Sequence, residues 1–519
     1  MSLPRLDAAQ LAHLPAEVQR PRFERGHLAA GIVHLGLGAF ARAHLLAYND
    51  DALDAGGALE WGVTGVSLRQ PDTRDALQPQ QGLYTLAVRD GDSNRNVAPP
   101  GAVRQRLRVI GSLRRLLVAP EDPAAVLQCI AAAATRIISL TVTEKGYCHA
   151  PVTGELQLGH PDIVHDLQAP ARPRSAIGFI AHGMAQRRAA GLGGLALMSL
   201  DNLPANGRVL RAAVLAFARA MGDAGLAGWI EARCSFPCSM VDRIVPRTVL
   251  ADRAQVSTDL GADDAWPVVA EPFIDWVIED AFAAGRPEWP GVRWAADAAA
   301  VAAAERLKLR MVNGAHSAIA YLGVVAGWPT VDAALAEPAL RGFIDALLRD
   351  EVEPTLAPGS LPAGYRKRLL ARFANPALAH RCSQIAMDGS QKLPQRLLGT
   401  VRDRLAAGQP VDHLALAVAA WLHFLRGHDE AARAYPIDDP MAESLQRVHR
   451  QAQALPDALA RAACLMQGIA AFGDLADDAR WLPALAEALQ RLRERGVQHT
   501  LEAMGHSASR SQSPESPNA

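Results

Sequence analysis

Gly31-Ile-Val-His-Leu35 runs without a break into Gly36-Leu-Gly-Ala-Phe-Ala41, and a helical pattern follows over Arg42 to Leu53. A short apolar run, two closely spaced glycines and an Ala- and Leu-rich stretch predict a strand, a tight turn and a helix. In the order Gly36-x-Gly38-x-x-Ala41, the first glycine makes the turn and the second lets backbone approach a pyrophosphate. The third small residue allows close helix packing, and the unpaired N–H groups of the helix start face the anion. Gly36, Gly38, Ala39 and Phe40 are therefore candidate dinucleotide-binding residues. A second strand is expected at Trp61 to Leu68. Asp72, just beyond it in Ser67-Leu-Arg-Gln-Pro-Asp72, is the candidate for the ribose hydroxyls and points to NAD. Arg69 nearby would instead suit the 2′-phosphate of NADP.

Further strand-like runs occur at Val109 to Gly111, Arg136 to Thr143 and Leu195 to Leu200, with helical stretches at Pro123 to Ala134 and Ala176 to Ala190 between them. Strands alternating with helices predict an open, mostly parallel α/β sheet. Beyond about residue 290 the pattern turns helical, over 297–323, 331–349, 364–373, 393–407, 411–426, 441–454 and 457–471. Gly285-Arg-Pro-Glu-Trp-Pro-Gly291 supplies the breakers expected at a junction. The expected organisation is a dinucleotide-binding domain over 1–290, a mostly helical substrate and catalytic domain over 291–505, and a disordered tail over 506–519, which is polar, Ser-rich and low in complexity.

The chain has 519 residues, half of them hydrophobic, with 53 Lys and Arg against 54 Asp and Glu. That balance supplies no basic field for nucleic acid or an anionic membrane, so neither is an expected partner. The six cysteines are scattered apart from one Cys234-x3-Cys238 pair, which has no second Cys or His pair nearby at zinc-finger spacing, so neither a disulfide framework nor a metal site is expected. Met1 to Arg25 lacks an apolar leader core, and no run of about 18 apolar residues occurs. The expectation is a soluble, cytoplasmic, metal-independent protein acting on a small molecule, its oligomeric state open.

Only four of the 53 cationic residues are lysines, Lys145, Lys308, Lys367 and Lys392. Where lysine persists in so arginine-rich a chain, the site calls for a compact ammonium or a movable pKa. Lys367 lies in Arg366-Lys-Arg368 and reads as a solvated charge run. Lys308, Asn313 and His316 fall at roughly 0°, 140° and 80° around an α-helix of about 100° per residue, so they project from one side. A desolvated lysine there is a candidate acid/base for a carbonyl–alcohol interconversion. Asn313 is a candidate donor to the developing oxyanion, and His316 a candidate partner for hydroxyls or for the lysine.

These stretches together resemble the mannitol dehydrogenase family, the polyol-specific long-chain dehydrogenases/reductases, from about Gly31 to Gly496. The resemblance is carried by Gly36 to His44, Ser139-Leu-Thr-Val-Thr-Glu-Lys-Gly-Tyr147, Ser199-Leu-Asp-Asn-Leu-Pro-Ala-Asn-Gly207, Met240-Val-Asp-Arg-Ile-Val-Pro246 and Lys308-x4-Asn313-x2-His316. It implies an N-terminal Rossmann-type doubly wound sheet, a mostly α-helical C-terminal domain, NAD(H) and no metal. It also implies that Lys308 is the acid/base, that Asn202 and Asn313 hold the oxyanion, that Glu305 relays protons, and that Glu144 lies at the cofactor.

Thr143 to Cys148, Phe236 to Asp242 and Gln384-Ile-Ala-Met-Asp-Gly-Ser-Gln-Lys-Leu-Pro-Gln-Arg396 are most similar to the fructuronate reductase branch. That places Lys145, Asp242, Gln384 and Lys392 at the substrate. A sugar acid brings a carboxylate for Lys145 to pair with. The expected reaction is therefore reduction of D-fructuronate to D-mannonate. Oxidation of mannitol or arabinitol at carbon 2 is the alternative, and a cofactor-binding protein without turnover is a third class.

Overall fold

The computed structural model describes residues 3–91, 103–150 and 154–510. The chain divides into two compact units, one ending at Glu305 and the other comprising Gly91 and the residues from Arg306 on among those described.

The first unit is built on a five-stranded sheet. Among the described residues its strands, in chain order with those of two smaller sheets, are β1 (Ile32–Leu35), β2 (Val63–Ser67), β3 (Tyr84–Gly91), β4 (Val103–Ile110), β5 (Leu113–Val118), β6 (Ile137–Leu140), β7 (Ala196–Ser199), β8 (Ser239–Asp242), β9 (Val268–Ala270), β10 (Asp275–Glu279) and β11 (Arg293–Ala295). The central order is β5-β2-β1-β6-β7, every neighbour parallel. Strands added on one side of β1 and then on the other create a switch point between β1 and β6, where an open α/β sheet presents its crevice.

Side-chain alternation sorts the core. Val33, Leu35, Ile138, Leu140 and Leu197 face one layer, with Phe179 and Ile180 of the helix Ala176–Ala189. Ile32, Ile137, Ala196 and Met198 face the other, with Leu45, Leu46 and Trp276. Each fully buried Val, Leu or Ile stabilises by roughly 1.5–3 kcal/mol, so a slip of one residue, which exchanges the two faces, is strongly disfavoured.

Strands β1, β2, β6 and β7 lie within the stretches read as strands. Strand β3, edge strand β5 and the short strands β8 to β11 fall outside the predicted stretches, which reach only the end of β4. Leu113-Arg-Arg-Leu-Leu-Val118 lacks clean alternation, and β8 to β11 are three to five residues long, held in place by pairing with distant strands. The helix expected from Arg42 starts earlier, at Ala39, and breaks at His44 between Ala39–Ala43 and Leu45–Asp54.

The second unit is helical. The predicted helical stretch 297–323 resolves into an α-helix Ala298–Leu307, most of which belongs to the first unit, a π-helix Lys308–Gly314 and an α-helix Ala315–Ala326. Further π-helical turns occupy Leu347–Val352 and Pro394–Leu398. Beyond residue 471, where the sequence reading ends, a long helix Trp481–Arg510 follows, interrupted by the positive φ of Gly496. It takes in residues 506–510 of the stretch expected to be a disordered tail; residues 511–519 lie outside the described residues. No described helix is long and apolar enough to cross a membrane.

Candidate active site

The turn after β1 hangs from β2. The N–H groups of Gly36 and Leu37 both donate to the Val66 carbonyl, at 2.9 and 3.2 Å. Gly36 has φ +89°, and a Cβ there would stand 2.2 Å from the Thr141 carbonyl oxygen, so only glycine fits. Gly38 begins the short helix Ala39–Ala43, whose first N–H groups have no acceptor within the helix. Around it the space is open, the nearest atom to an added Cβ being 3.9 Å away. Ala41 is fully buried, as the third position of the fingerprint requires. The Phe40 ring stacks on His44 at 5.0 Å.

Gly36 and Gly38 line a cavity of about 530 Å³, together with Ser67 to Gln70 after β2 and Val142, Thr143, Lys145 and Gly146 after β6. A cradle of glycine backbone, helix-start N–H groups and a cavity at the switch point fits a dinucleotide. Asp72 is not in its wall. It stands exposed at the first position of the helix Asp72–Leu77, where a carboxylate favours the helix dipole. Arg69 and Gln70 line the cavity instead, and the carboxylate among its lining residues is Asp162, 3.9 Å from Arg69.

His34, buried in β1, lies in register with Ser139 of β6. Its Nδ1 is 2.9 Å from the Ser139 hydroxyl and its Nε2 3.0 Å from the Thr141 hydroxyl, which donates to the Gly36 carbonyl at 2.7 Å. That chain of donors assigns a neutral ring protonated at Nε2. Burial supports the assignment by lowering the His34 pKa to about 4. The sequence showed His34 only as a polar residue in an apolar strand.

Glu144 and Lys145 sit in a 3-10 turn, Glu144–Tyr147, entered through Thr143 at φ 60°, ψ 171° and left through Cys148 in the left-handed region. Such geometry at a threonine costs on the order of 1–3 kcal/mol and persists only where its surroundings enforce it. Lys145 is exposed and lines the cavity; Glu144 is half-buried and is not among the lining residues.

After β7, Asn202 is exposed, next to buried Asp201. The neighbouring Asn206 ties this turn to β8 through bonds to the carbonyls of Asp201 and Ser239, at 3.0 and 2.8 Å. Glu305 is buried, and its carboxylate accepts from the Ala205 N–H at 3.1 Å, so it is anchored to the turn that carries Asn202. Asp242 closes β8 and is buried.

In the second unit Lys308, Asn313 and His316 are each 7% exposed. The first two belong to the π-helix, so the angles expected for an α-helix do not apply. Bonds from i to i+5 widen the turn and bring residues five apart, Lys308 and Asn313, one above the other. Arg310 anchors this turn through an ion pair with Asp403 at 2.6 Å. The amide nitrogen of Asn313 and Nε2 of His316 are buried without a hydrogen-bond partner among the described residues. Both atoms can therefore bond to a ligand without giving up a contact within the fold.

The His316 ring packs on Phe373 at 4.2 Å and edge-on to His380 at 5.7 Å. Its pKa is pushed well below the usual value by burial first, and then by the neighbouring His380, Arg372, Arg396 and Lys308. His316 is therefore neutral at pH 7, in a field of cations that sequence inspection had not assembled.

Gln384 is half-buried in the short helix Cys382–Ile385, which packs on the helix Ala315–Ala326; Tyr321 Oη donates to the Ala386 carbonyl at 3.2 Å. The Lys392 ammonium donates to the Met387 carbonyl at 2.6 Å.

Two family models match the chain, the mannitol dehydrogenase Rossmann domain over residues 30–291 and the mannitol dehydrogenase C-terminal domain over 300–493. The chain belongs to the mannitol dehydrogenase family. Among its relatives, D-mannonate oxidoreductase of Escherichia coli (strain K12) is 41% identical, covering 94% of this chain and 98% of the relative. A mannitol 2-dehydrogenase of Pyrenophora tritici-repentis is 39% identical, covering 95% and 85%. The solved ternary complex of Pseudomonas fluorescens mannitol 2-dehydrogenase with NAD and D-mannitol superimposes with TM-score 0.87 at 36% identity, over 97% of this chain and 99% of that one. The Rossmann-type first unit and helical second unit are those of the family. Membership makes this mannitol dehydrogenase relative a secondary alcohol dehydrogenase, an oxidoreductase of NAD type.

Proposed function

We propose that this protein reduces the ketone of a sugar acid, D-fructuronate, to the alcohol of D-mannonate. NAD(H) is the proposed cofactor, in preference to NADP(H). The observation that carries the reading is the buried set Lys308, Asn313 and His316, with the Asn313 amide and His316 Nε2 awaiting partners. Bound dinucleotide supplies the hydride to the keto carbon. Lys308, as ammonium, gives its proton to the carbonyl oxygen, so the products are the alcohol, oxidised cofactor and a neutral amine that regains its proton by way of Glu305. Asn313 and Asn202 donate to the oxygen as charge develops on it, an arrangement whose single donors are worth about 10²–10³ in turnover. Neutral His316 orients a substrate hydroxyl without adding charge. Asp242, Gln384 and Lys392 complete the substrate contacts.

The sugar-acid reading is favoured over a polyol by Lys145 on the wall of the cavity that Gly36 and Gly38 line. A substrate carboxylate complements that charge; a polyol brings none. Polyol 2-dehydrogenase activity is the second reading, favoured by the mannitol 2-dehydrogenases at similar identity. NAD is supported by the solved relative's complex, and six free thiols suit a cytoplasmic setting. The deciding measurement is NADH oxidation with D-fructuronate and with D-fructose. The rate constant kcat/KM should be at least about 100-fold higher for the acid, as a desolvated charge pair provides. Faster turnover of fructose assigns the enzyme to polyols.

A further inference from the structure

Asp201 takes no part in the chemistry above, yet its buried carboxylate accepts three hydrogen bonds. Its Oδ1 accepts from the Thr143 N–H at 2.9 Å, and its Oδ2 from the Val142 N–H at 3.1 Å and the Tyr147 hydroxyl at 2.8 Å. Tyr147 is fully buried and also meets the Ser199 hydroxyl, which accepts from the Asp201 N–H at 3.2 Å. One carboxylate after β7 thus grips both ends of the turn after β6. Between those ends the backbone passes through Thr143 at φ 60°, ψ 171°, which a threonine holds only under constraint. Gly146 allows the tight return, since a Cβ there would stand 2.6 Å from the Val142 side chain.

We propose that Asp201 is a positioning residue that holds the Thr143–Tyr147 turn in its strained geometry and so shapes the wall of the cofactor cavity. Val142, Thr143, Lys145 and Gly146 of this turn line the same cavity as Gly36 and Gly38. Released from the carboxylate, Thr143 relaxes to an ordinary conformation and the wall moves. The inference rests on the reading of that cavity as the dinucleotide site.

The test is NADH affinity, followed by quenching of protein fluorescence in the full-length enzyme. Asp201→Asn keeps the side chain's size but weakens its hold on the two N–H groups, and should raise the dissociation constant about tenfold. Thr143→Gly places in the strained position the one residue that occupies it freely, so adding it to Asp201→Asn should recover at least about threefold of the loss. A purely structural aspartate would lower the melting temperature without that recovery. Should Asp201→Asn fail to fold, Tyr147→Phe removes one donor and leaves the carboxylate, with an expected threefold loss. Binding within twofold of wild type in the folded variant, or no recovery by Thr143→Gly, overturns the inference. Wild-type protein that does not bind NADH instead removes the cofactor reading, and the inference with it.

Discussion

Lys308 is one of four lysines in a chain that otherwise uses arginine, and it lies 7% exposed. An ammonium in that setting can surrender a proton where guanidinium cannot. Lys308→Ala should lower kcat by about 10²–10⁴ while NADH binding persists, the range for loss of a positioned acid or base. Stopped-flow turnover alongside cofactor titration checks both halves, and an unchanged kcat would remove the lysine from the mechanism. This residue was legible because its type is rare and its spacing to Asn313 and His316 is local. Asp72 illustrates the opposite. Distance along the chain from β2 nominated it, but the chain beyond β2 turns into a helix at that point and leaves Asp72 in solvent, while Asp162, some ninety residues on, reaches the cavity wall.

At the scale of elements, the π-helix Lys308–Gly314 matters most. One neighbour is the π-turn Pro394–Leu398, and the two meet where Gly314 faces the Arg396 carbonyl. A Cβ on Gly314 would lie 2.8 Å from that oxygen. Gly314→Ala should therefore destabilise by about 1–3 kcal/mol, as overpacking does, and reduce kcat more than it raises the KM for NADH. Thermal unfolding and steady-state kinetics measure the two effects; a variant with wild-type stability would show that the turns have room to part. Periodicity reported this segment as helix but could not distinguish α from π, because the extra residue in the turn is accommodated by contacts with a segment some eighty residues away.

For the whole molecule, buried imidazoles set the response to acid. Burial holds His34, His380 and His449 at about 4 and His423 at about 3. A histidine whose folded pKa is depressed stabilises fully above its unfolded value near 6.5, and the contribution is lost as pH falls toward the folded value. For fully buried His34 the loss is on the order of 3 kcal/mol. Three carboxyls oppose the trend. Burial raises Asp50 and Asp201 to about 6 and Asp264 above its usual value, so each adds stability as pH falls toward 4. The four imidazoles, joined by His316, outweigh the three carboxyls. The melting temperature should drop steeply between pH 6.5 and 4.5, and a flat profile there would contradict the neutral imidazoles.

The amino-acid sequence alone determined the strand–turn–helix at Gly31 to Leu53, the alternation that makes the first unit α/β, the mostly helical character beyond residue 297 and the nearness along one helical segment of Lys308, Asn313 and His316. All of these are written in residue type and spacing over fewer than about twenty positions, within reach of turn sterics and helix or strand periodicity. Only the tertiary structure decided that edge strand β5 joins the sheet, that Asp201 grips a turn sixty residues earlier, and that Arg372 and Arg396 crowd His316. Those facts depend on which distant segments share a register or a packed face. No local preference encodes that choice, because it is made by the burial and hydrogen bonding of the chain as a whole.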